Sequence, residues 1–226
     1  MASLAQLLAS HRRILVLDAA SSRVQVGLLD SNRPARWQGV TEEAGKGLFV
    51  AISALTGQSG LGIDDIPAFA FCEGPGSMLG LRIVAMALRT WTTLKARPVY
   101  TYQSLALAAR HAWKVRPRAF MVIADARRDS WHTQAIQADG LLGPLQRVPA
   151  ADLPAGELLT PDNFRAWAEP PRPAASCTYD LATLFSATAE DNLFRETGAP
   201  EVFQHDAPDY KKWSAQPHSA ETAPRR

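Results

Sequence analysis

The chain has 226 residues, 46% of them hydrophobic and 20% charged, with a formal net charge of +2. That length and balance suit one large domain or two small ones with a real core, and they exclude a disordered or fibrous protein. The 24 Lys and Arg are scattered among 22 Asp and Glu, so no basic stripe marks a dedicated nucleic-acid binder.

The first ten residues lack a positive n-region and a cleavage site, and with Arg12 and Arg13 behind them they read as a short helical extension. The run Ile14-Leu15-Val16-Leu17 ends at Asp18 and predicts a central strand, followed by a turn to Ser22. Val24, Val26 and Leu28 alternate with Gln25 and Gly27, which predicts a second strand. A helix follows Thr41, with Leu48, Ile52 and Leu55 on one face and Gly57 near its end. Gly45 and Gly47 weaken its first turn. Residues 66–72 read as a buried strand. A sharp turn through Gly74, Pro75 and Gly76 leads into a long helix over 78–96. Leu81, Val84, Leu88 and Trp91 share one face of that helix, and Ile83, Ala87 and Leu94 lie on another. Only Arg82, Arg89 and Lys95 interrupt its apolar circumference, so it must be buried on two sides, one by its own sheet and one by a second layer or a partner.

Residues 98–102 predict a short strand, and Ser104 is placed as the cap of a helix ending near Lys114. A second unit then repeats the plan. Ala119-Phe120-Met121-Val122-Ile123-Ala124 runs into Asp125, and a turn at 126–129 leads into a strand over 130–136, as in a hairpin. Residues 140–173 are rich in Pro and Ala and poorly periodic. A helix over 179–189, a last strand at Glu201-Val202-Phe203-Gln204 and a frayed tail after Pro217 complete the reading. Two units that each open with an apolar strand, an Asp and a hairpin resemble the duplicated α/β fold of actin and hexokinase. In that ASKHA, ribonuclease H-like arrangement, two subdomains of mixed sheets are flanked by helices. The boundary is expected at 103/104: residues 1–103 form the first subdomain and 104–226 a reduced second one, whose last residues pack back on the first.

Chemistry is sparse. Cys72 and Cys177 stand alone, outside any CxxC or Cys/His cluster, and read as two reduced, buried thiols. His11, His111, His132, His205 and His218 form no i,i+4 pair, so no metal site is predicted. No run reaches the ~18 apolar residues of a membrane span, and a cytoplasmic protein is expected. Phosphate-binding hairpin turns favour Gly, because no Cβ stands in the way. Here both turns, Asp18-Ala19-Ala20-Ser21-Ser22 and Asp125-Ala126-Arg127-Arg128, keep the Asp and lack the Gly. No adjacent pair of glycines occurs after residue 140. Asp18 and Asp125 read either as bases or metal ligands, or as caps of their own turns. Ser77 reads either as a nucleophile or as a helix N-cap, the commoner role.

The sharpest motif is Gly74-Pro75-Gly76-Ser77-Met78-Leu79-Gly80-Leu81-Arg82. Its glycines permit a tight strand-to-helix turn, and Gly74, Gly76 and Ser77, with Arg82, form a candidate anion or nucleotide contact. The motif resembles the Gly-Pro-Gly-Ser-Phe-Thr-Gly-Leu-Arg signature of the TsaB (YeaZ) family. Ile14-Leu15-Val16-Leu17-Asp18-Ala19-Ala20-Ser21 resembles that family's opening strand, and Val122-Ile123-Ala124-Asp125-Ala126-Arg127-Arg128 its Ile-Asp-Ala-Arg segment. Glu201-Val202-Phe203 and Tyr210-Lys211-Lys212-Trp213 resemble its C-terminal end. The chain departs at Thr41-Glu42-Glu43-Ala44-Gly45, where many relatives carry a His, and it lacks the metal-binding His pair of the catalytic paralogue TsaD.

The resemblance implies a non-catalytic scaffold that binds a TsaD-like paralogue and works with a TsaE-like ATPase. The reaction is threonylcarbamoylation of the adenosine 3′ to the anticodon in tRNA, and tRNA is met only within the complex. It implies no cofactor on the chain alone and allows ATP or ADP at the partner interface. It assigns the partner face to Leu48, Ile52, Leu55, Leu79, Arg82, Ala85, Met86 and Arg89, and a free chain is expected to pair with itself through the same helices. Arg82 and Arg89 read either as rim contacts or as a solvated helix face. Two other classes remain open: a glycoprotease-like peptidase, and a small-molecule kinase of the same superfamily.

Overall fold

A computed structural model describes residues 1–203. The apolar run after Arg12 forms β1 (Arg13–Asp18), and its two faces enter two different cores. Leu15 and Leu17 point to one side, and Ile14 and Val16 to the other, as the two-residue period of a strand requires. A strand covered on both faces reads as a continuous apolar run, which is why β1 shows no polar alternation. It pairs antiparallel with β2 (Val24–Asp30) and parallel with β4 (Ala68–Gly74). β3 (Arg33–Val40) extends the sheet beyond β2, and β5 (Val99–Gln103) lies parallel to β4.

The second sheet repeats this order. β6 (Phe120–Asp125) is central, with β7 (Ser130–Ile136) and β8 (Leu142–Pro149) antiparallel on one side. β9 (Leu158–Pro161) and β10 (Ala174–Cys177) run parallel on the other. The two five-stranded orders, β3-β2-β1-β4-β5 and β8-β7-β6-β9-β10, are therefore the same. This is the duplicated actin/hexokinase-like architecture. The second copy is reduced. In the first, α2 (Ala44–Gly57) and α3 (Met78–Leu94) bridge β3 to β4 and β4 to β5. In the second, a short 3-10 turn at Ala150–Asp152 and a non-helical loop over 162–173 stand in their places.

α2 and α3 cover one face of the first sheet, enclosing Leu17, Val26, Leu48, Ile52, Leu55, Phe71, Val84 and Leu88. Against the other face pack α4 (Ser104–Val115) and α5 (Leu181–Ala187). α4 also lies on β6, β7 and β8, so one core joins both sheets, from Ile14 and Val16 to Phe120, Val122 and Leu159. The N-terminal α1 (Leu4–His11) is closed by a Ser3–Gln6 capping box.

Several expectations need correction. Ser104 is the buried first residue of α4; its hydroxyl donates to the Pro75 carbonyl at 2.5 Å, and Gln103 occupies the cap position. The last described strand is β11 (Arg195–Thr197), antiparallel to β5 at the edge of the first sheet. Glu201 to Phe203 belongs to no strand. Two strands, β8 and β9, occupy the stretch that looked aperiodic, and β10 follows directly after it. Residue 204 and the segment at Tyr210 to Trp213 lie outside the described residues, as does the tail.

Candidate functional site

The glycines of the central motif serve contact between elements. A Cβ on Gly76 would lie 2.4 Å from the Ala20 carbonyl oxygen, and one on Gly80 would lie 2.3 Å from that of Ala19. The start of α3 is therefore pressed directly on the first Asp turn. The Ser77 N–H donates to the Ala20 carbonyl at 2.7 Å. The Gly80 N–H reaches Ser77 Oγ at 3.5 Å, a long N-cap bond. At the turn expected to meet an anion, the Ser77 amide bonds the Ala20 carbonyl and the glycines fit the turn against its neighbour.

Asp18 is sealed. It is fully buried; its Oδ1 accepts the Ala20 N–H at 2.8 Å, and its Oδ2 accepts the hydroxyls of Tyr102 at 2.6 Å and Tyr179 at 2.8 Å. Burial raises its carboxyl above the ordinary value, opposed by the bonds from Tyr102, Ala20 and Tyr179. The same burial, with the Asp18 charge next, pushes the Cys72 thiol well up. Cys177 is pushed up to about 12, chiefly by burial. Neither thiol has the thiolate character a nucleophile needs. Asp125 is likewise occupied by backbone amides. Its Oδ1 accepts the Arg127 N–H at 2.6 Å, and its Oδ2 accepts those of Trp167 at 2.6 Å and Ala168 at 3.0 Å. Burial raises its carboxyl, but these three amides and Arg127 outweigh that and hold it below the usual range. Both aspartates thus organise their own turns.

The two halves are stitched together. Gln25 Nε2 donates to the Tyr179 carbonyl at 2.9 Å, and Gln25 Oε1 accepts the Leu181 N–H at 3.0 Å. Ser22 N–H bonds the Asn163 carbonyl at 2.8 Å, and Arg23 pairs with Asp180 at 3.3 Å. The roles of Tyr102, Tyr179 and Gln25 went unnoticed in the sequence, because nothing local marks a polar side chain whose partner lies 84 to 161 residues away.

The candidate partner face is only partly as expected. Leu48, Ile52 and Leu55 are core residues, at most 5% exposed, because the apolar stripe of α2 faces its own sheet. The outward apolar residues of α2 are Phe49, 50% exposed, and Val50, 43% exposed. They sit just beside the stripe, which is the signal that could have found them. On α3, Leu79 and Met86 are 61% and 67% exposed, whereas Ala85 is buried. Ala85 floors a groove of about 590 Å³ with Arg82, Met86, Arg89, Glu201 and Val202. Arg89 is held by the Pro200 carbonyl at 2.8 Å and by Glu201 at 3.3 Å, so the segment after β11 lies along α3. Arg82 is exposed. Among the described residues, no three His, Cys, Asp or Glu side chains come together as a metal site, and no helix is long and apolar enough to cross a membrane.

Comparison with known proteins agrees with this geometry. The family model described as TsaD, tRNA N6-adenosine threonylcarbamoyltransferase, matches residues 43–140, from α2 to just past β7. YeaZ from Pseudomonas aeruginosa superposes with a TM-score of 0.60 at 20% identity, covering 78% of this chain and 90% of that one. A second structure, an "uncharacterized protein with similarity to peptidase YEAZ from Pseudomonas aeruginosa", gives 0.59 at 21% identity, covering 80% and 97%. At such identities the likeness is one of fold. The family-model match spans α2 to β7, within the stretch where the two YeaZ-type structures share this fold. No curated protein gives a significant match.

Proposed function

We propose that this chain is a TsaB (YeaZ)-type scaffold subunit of a cytoplasmic tRNA threonylcarbamoylation system, without catalytic chemistry of its own. It binds a TsaD-like paralogue and acts with a TsaE-like ATPase on the adenosine 3′ to the anticodon. The observation that carries this reading is the exposure of Phe49 and Val50 on α2 and of Leu79 and Met86 on α3, two helices that touch each other. Exposed apolar residues gathered on one face mark a protein contact more often than a free surface. Helix-to-helix docking would bury them. ATP or ADP belongs to that partner interface, with Arg82 at its rim.

The other classes fare worse. A kinase needs an accessible carboxylate between its lobes, and Asp18 is buried under Tyr102 and Tyr179. A peptidase needs an activated nucleophile, and Ser77 Oγ caps α3. A transferase of the TsaD kind needs a metal-binding His pair. The described histidines His11, His111 and His132 lie apart, on α1, α4 and β7.

Reconstituted threonylcarbamoyl transfer with the cognate TsaD, TsaE and threonylcarbamoyl-AMP synthase tests the proposal. Activity should require this chain, survive Ser77→Ala and fail with Met86→Glu. Loss of activity in Ser77→Ala while the complex still forms would refute the scaffold reading. So would ATP turnover by the isolated chain above about 1 per second, in the ordinary enzyme range.

A further inference from the structure

Basic residues that are scattered along the chain meet in one place. A groove of about 310 Å³ opens between the start of α3 and the second Asp turn. Its described lining brings together Arg82 from α3, Arg127 and Arg128 from the turn, His132 from β7 and Arg147 from β8. No carboxylate is among the described residues that line it. Arg82, Arg127 and Arg128 are exposed, and Arg82 and Arg128 make no ion pair among the described residues. Arg147 extends to the Ala126 carbonyl at 3.4 Å.

A second hollow, about 330 Å³, adjoins the first and shares Arg127 and Arg128 with it. Its wall includes Trp167, which is 61% exposed, with the Arg127 guanidinium 4.1 Å from the ring centroid. The backbone amide of Trp167 is fixed to Asp125, so the indole is anchored rather than trailing. Two acids also line this hollow: Asp125, which faces Arg127 and is held by three amides, and Asp129, so Arg128 and the Arg82 side are the cations left for a ligand.

Clustered guanidinium groups repel one another unless an anion lies among them, and their planar forks suit phosphate oxygens. A small anion would be held best in a closed pocket, whereas this surface is an open groove that continues into an exposed aromatic face. Cationic grooves that track a backbone, with aromatic rings on which bases stack, are the means by which proteins hold single-stranded nucleic acid. We infer that this groove binds a single-stranded RNA segment, with Arg82, Arg127 and Arg128 on its phosphates and Trp167 stacked on an unpaired base. The choice of RNA over another polyanion rests on the function proposed above.

The test is fluorescence anisotropy of a labelled RNA hairpin with an unpaired loop, titrated with the isolated full chain. A fully paired duplex and inorganic tripolyphosphate serve as competitors. Arg82→Glu with Arg128→Glu should weaken hairpin binding about tenfold or more and lower the salt slope by about 1.4, two phosphate contacts' worth. Trp167→Ala should weaken the hairpin several-fold, leave the duplex unaffected and keep the salt slope. Unchanged affinity in the double variant, at a melting temperature matching the parent, overturns the inference. So does tripolyphosphate displacing the hairpin as well as unlabelled hairpin does, which would make this a small-anion site. Co-purification with the TsaD-like protein is measured separately, using Arg128→Glu, which lies on the second subdomain away from the α2–α3 face. Parent chain that binds RNA through the groove but captures no such partner would sink the scaffold reading and leave the groove standing.

Discussion

Asp18 shows how a residue in the position of a catalytic group becomes structural. Its carboxylate is enclosed by two tyrosine hydroxyls and one amide, and Tyr179 arrives from the other half of the chain. Because burial raises its folded-state value above 3.8, the stability tied to this group is complete below that value and is lost as pH climbs through the folded value. Asp18→Asn removes the titration. The melting temperature of the parent relative to Asp18→Asn should therefore improve as pH falls from neutral towards 4, whatever constant offset the substitution brings. Calorimetric melts of both proteins across that range check this; a parallel pair of curves would mean that Asp18 is not desolvated. Tyr179→Phe removes one donor from the buried carboxylate and should cost about 1.5–3 kcal/mol.

At the scale of elements, α3 is placed by its glycines. Ala at a helical Gly normally gains about 0.5–1 kcal/mol. Gly80→Ala should reverse that sign, because its Cβ would meet the backbone oxygen of Ala19 at 2.3 Å, and neither helix nor turn can yield cheaply. A net loss of about 1–3 kcal/mol is expected. Gly57, the last residue of α2, has nothing within 4 Å of its Cβ position, so Gly57→Ala should stabilise. Denaturant midpoints of the two variants should move in opposite directions. The outward face of α3 calls for a different probe. Met86→Glu places a charge on an exposed position and should leave the fold intact. Burying an unpaired carboxylate against a partner costs several kcal/mol, enough to dissociate a micromolar complex. Pull-down with the TsaD-like protein, alongside an unchanged melt, measures it. Ala85→Glu is a poorer probe, since Ala85 is buried in the free chain and its substitution would confuse folding with docking.

For the whole molecule, the decisive feature is that one core serves both sheets. Together with the Gln25, Tyr179 and Ser22 links, this ties the two lobes to each other. Heat should therefore unfold the protein in a single calorimetric transition. A fragment of residues 1–103 should not fold alone, because the face carrying Ile14, Val16, Ala70 and Tyr102 would lose its cover. Two separate transitions would show that the lobes are independent. Without its partner, the chain should dimerise through the α2–α3 face, as sedimentation at rising concentration would reveal.

Much of this was legible in the residues alone, and the boundary has a physical basis. Apolar periodicity reports which side of an element is buried, and it marked β1, β2, α2, α3, the β6–β7 hairpin and the duplicated plan. It failed for β8, which is only partly covered and carries Gly, Pro and Arg, and for β9 and β10, which at four residues each are too short to show a period. It also failed for β11, whose exposed Arg195-Glu196-Thr197 becomes a strand only because β5 offers an unpaired edge. Periodicity shows that Leu48, Ile52 and Leu55 are buried, but not whether a sheet or a partner buries them. The distinction lies in which elements meet, and that is set by the sum of many distant contacts. The same holds for charge. Arg82 and Arg147 are 65 positions apart and look like isolated solvated residues in a chain of net charge +2. Only the fold, which sets the start of α3 across a groove from the second hairpin, brings them together, because electrostatic fields add over distance in space and not along the chain.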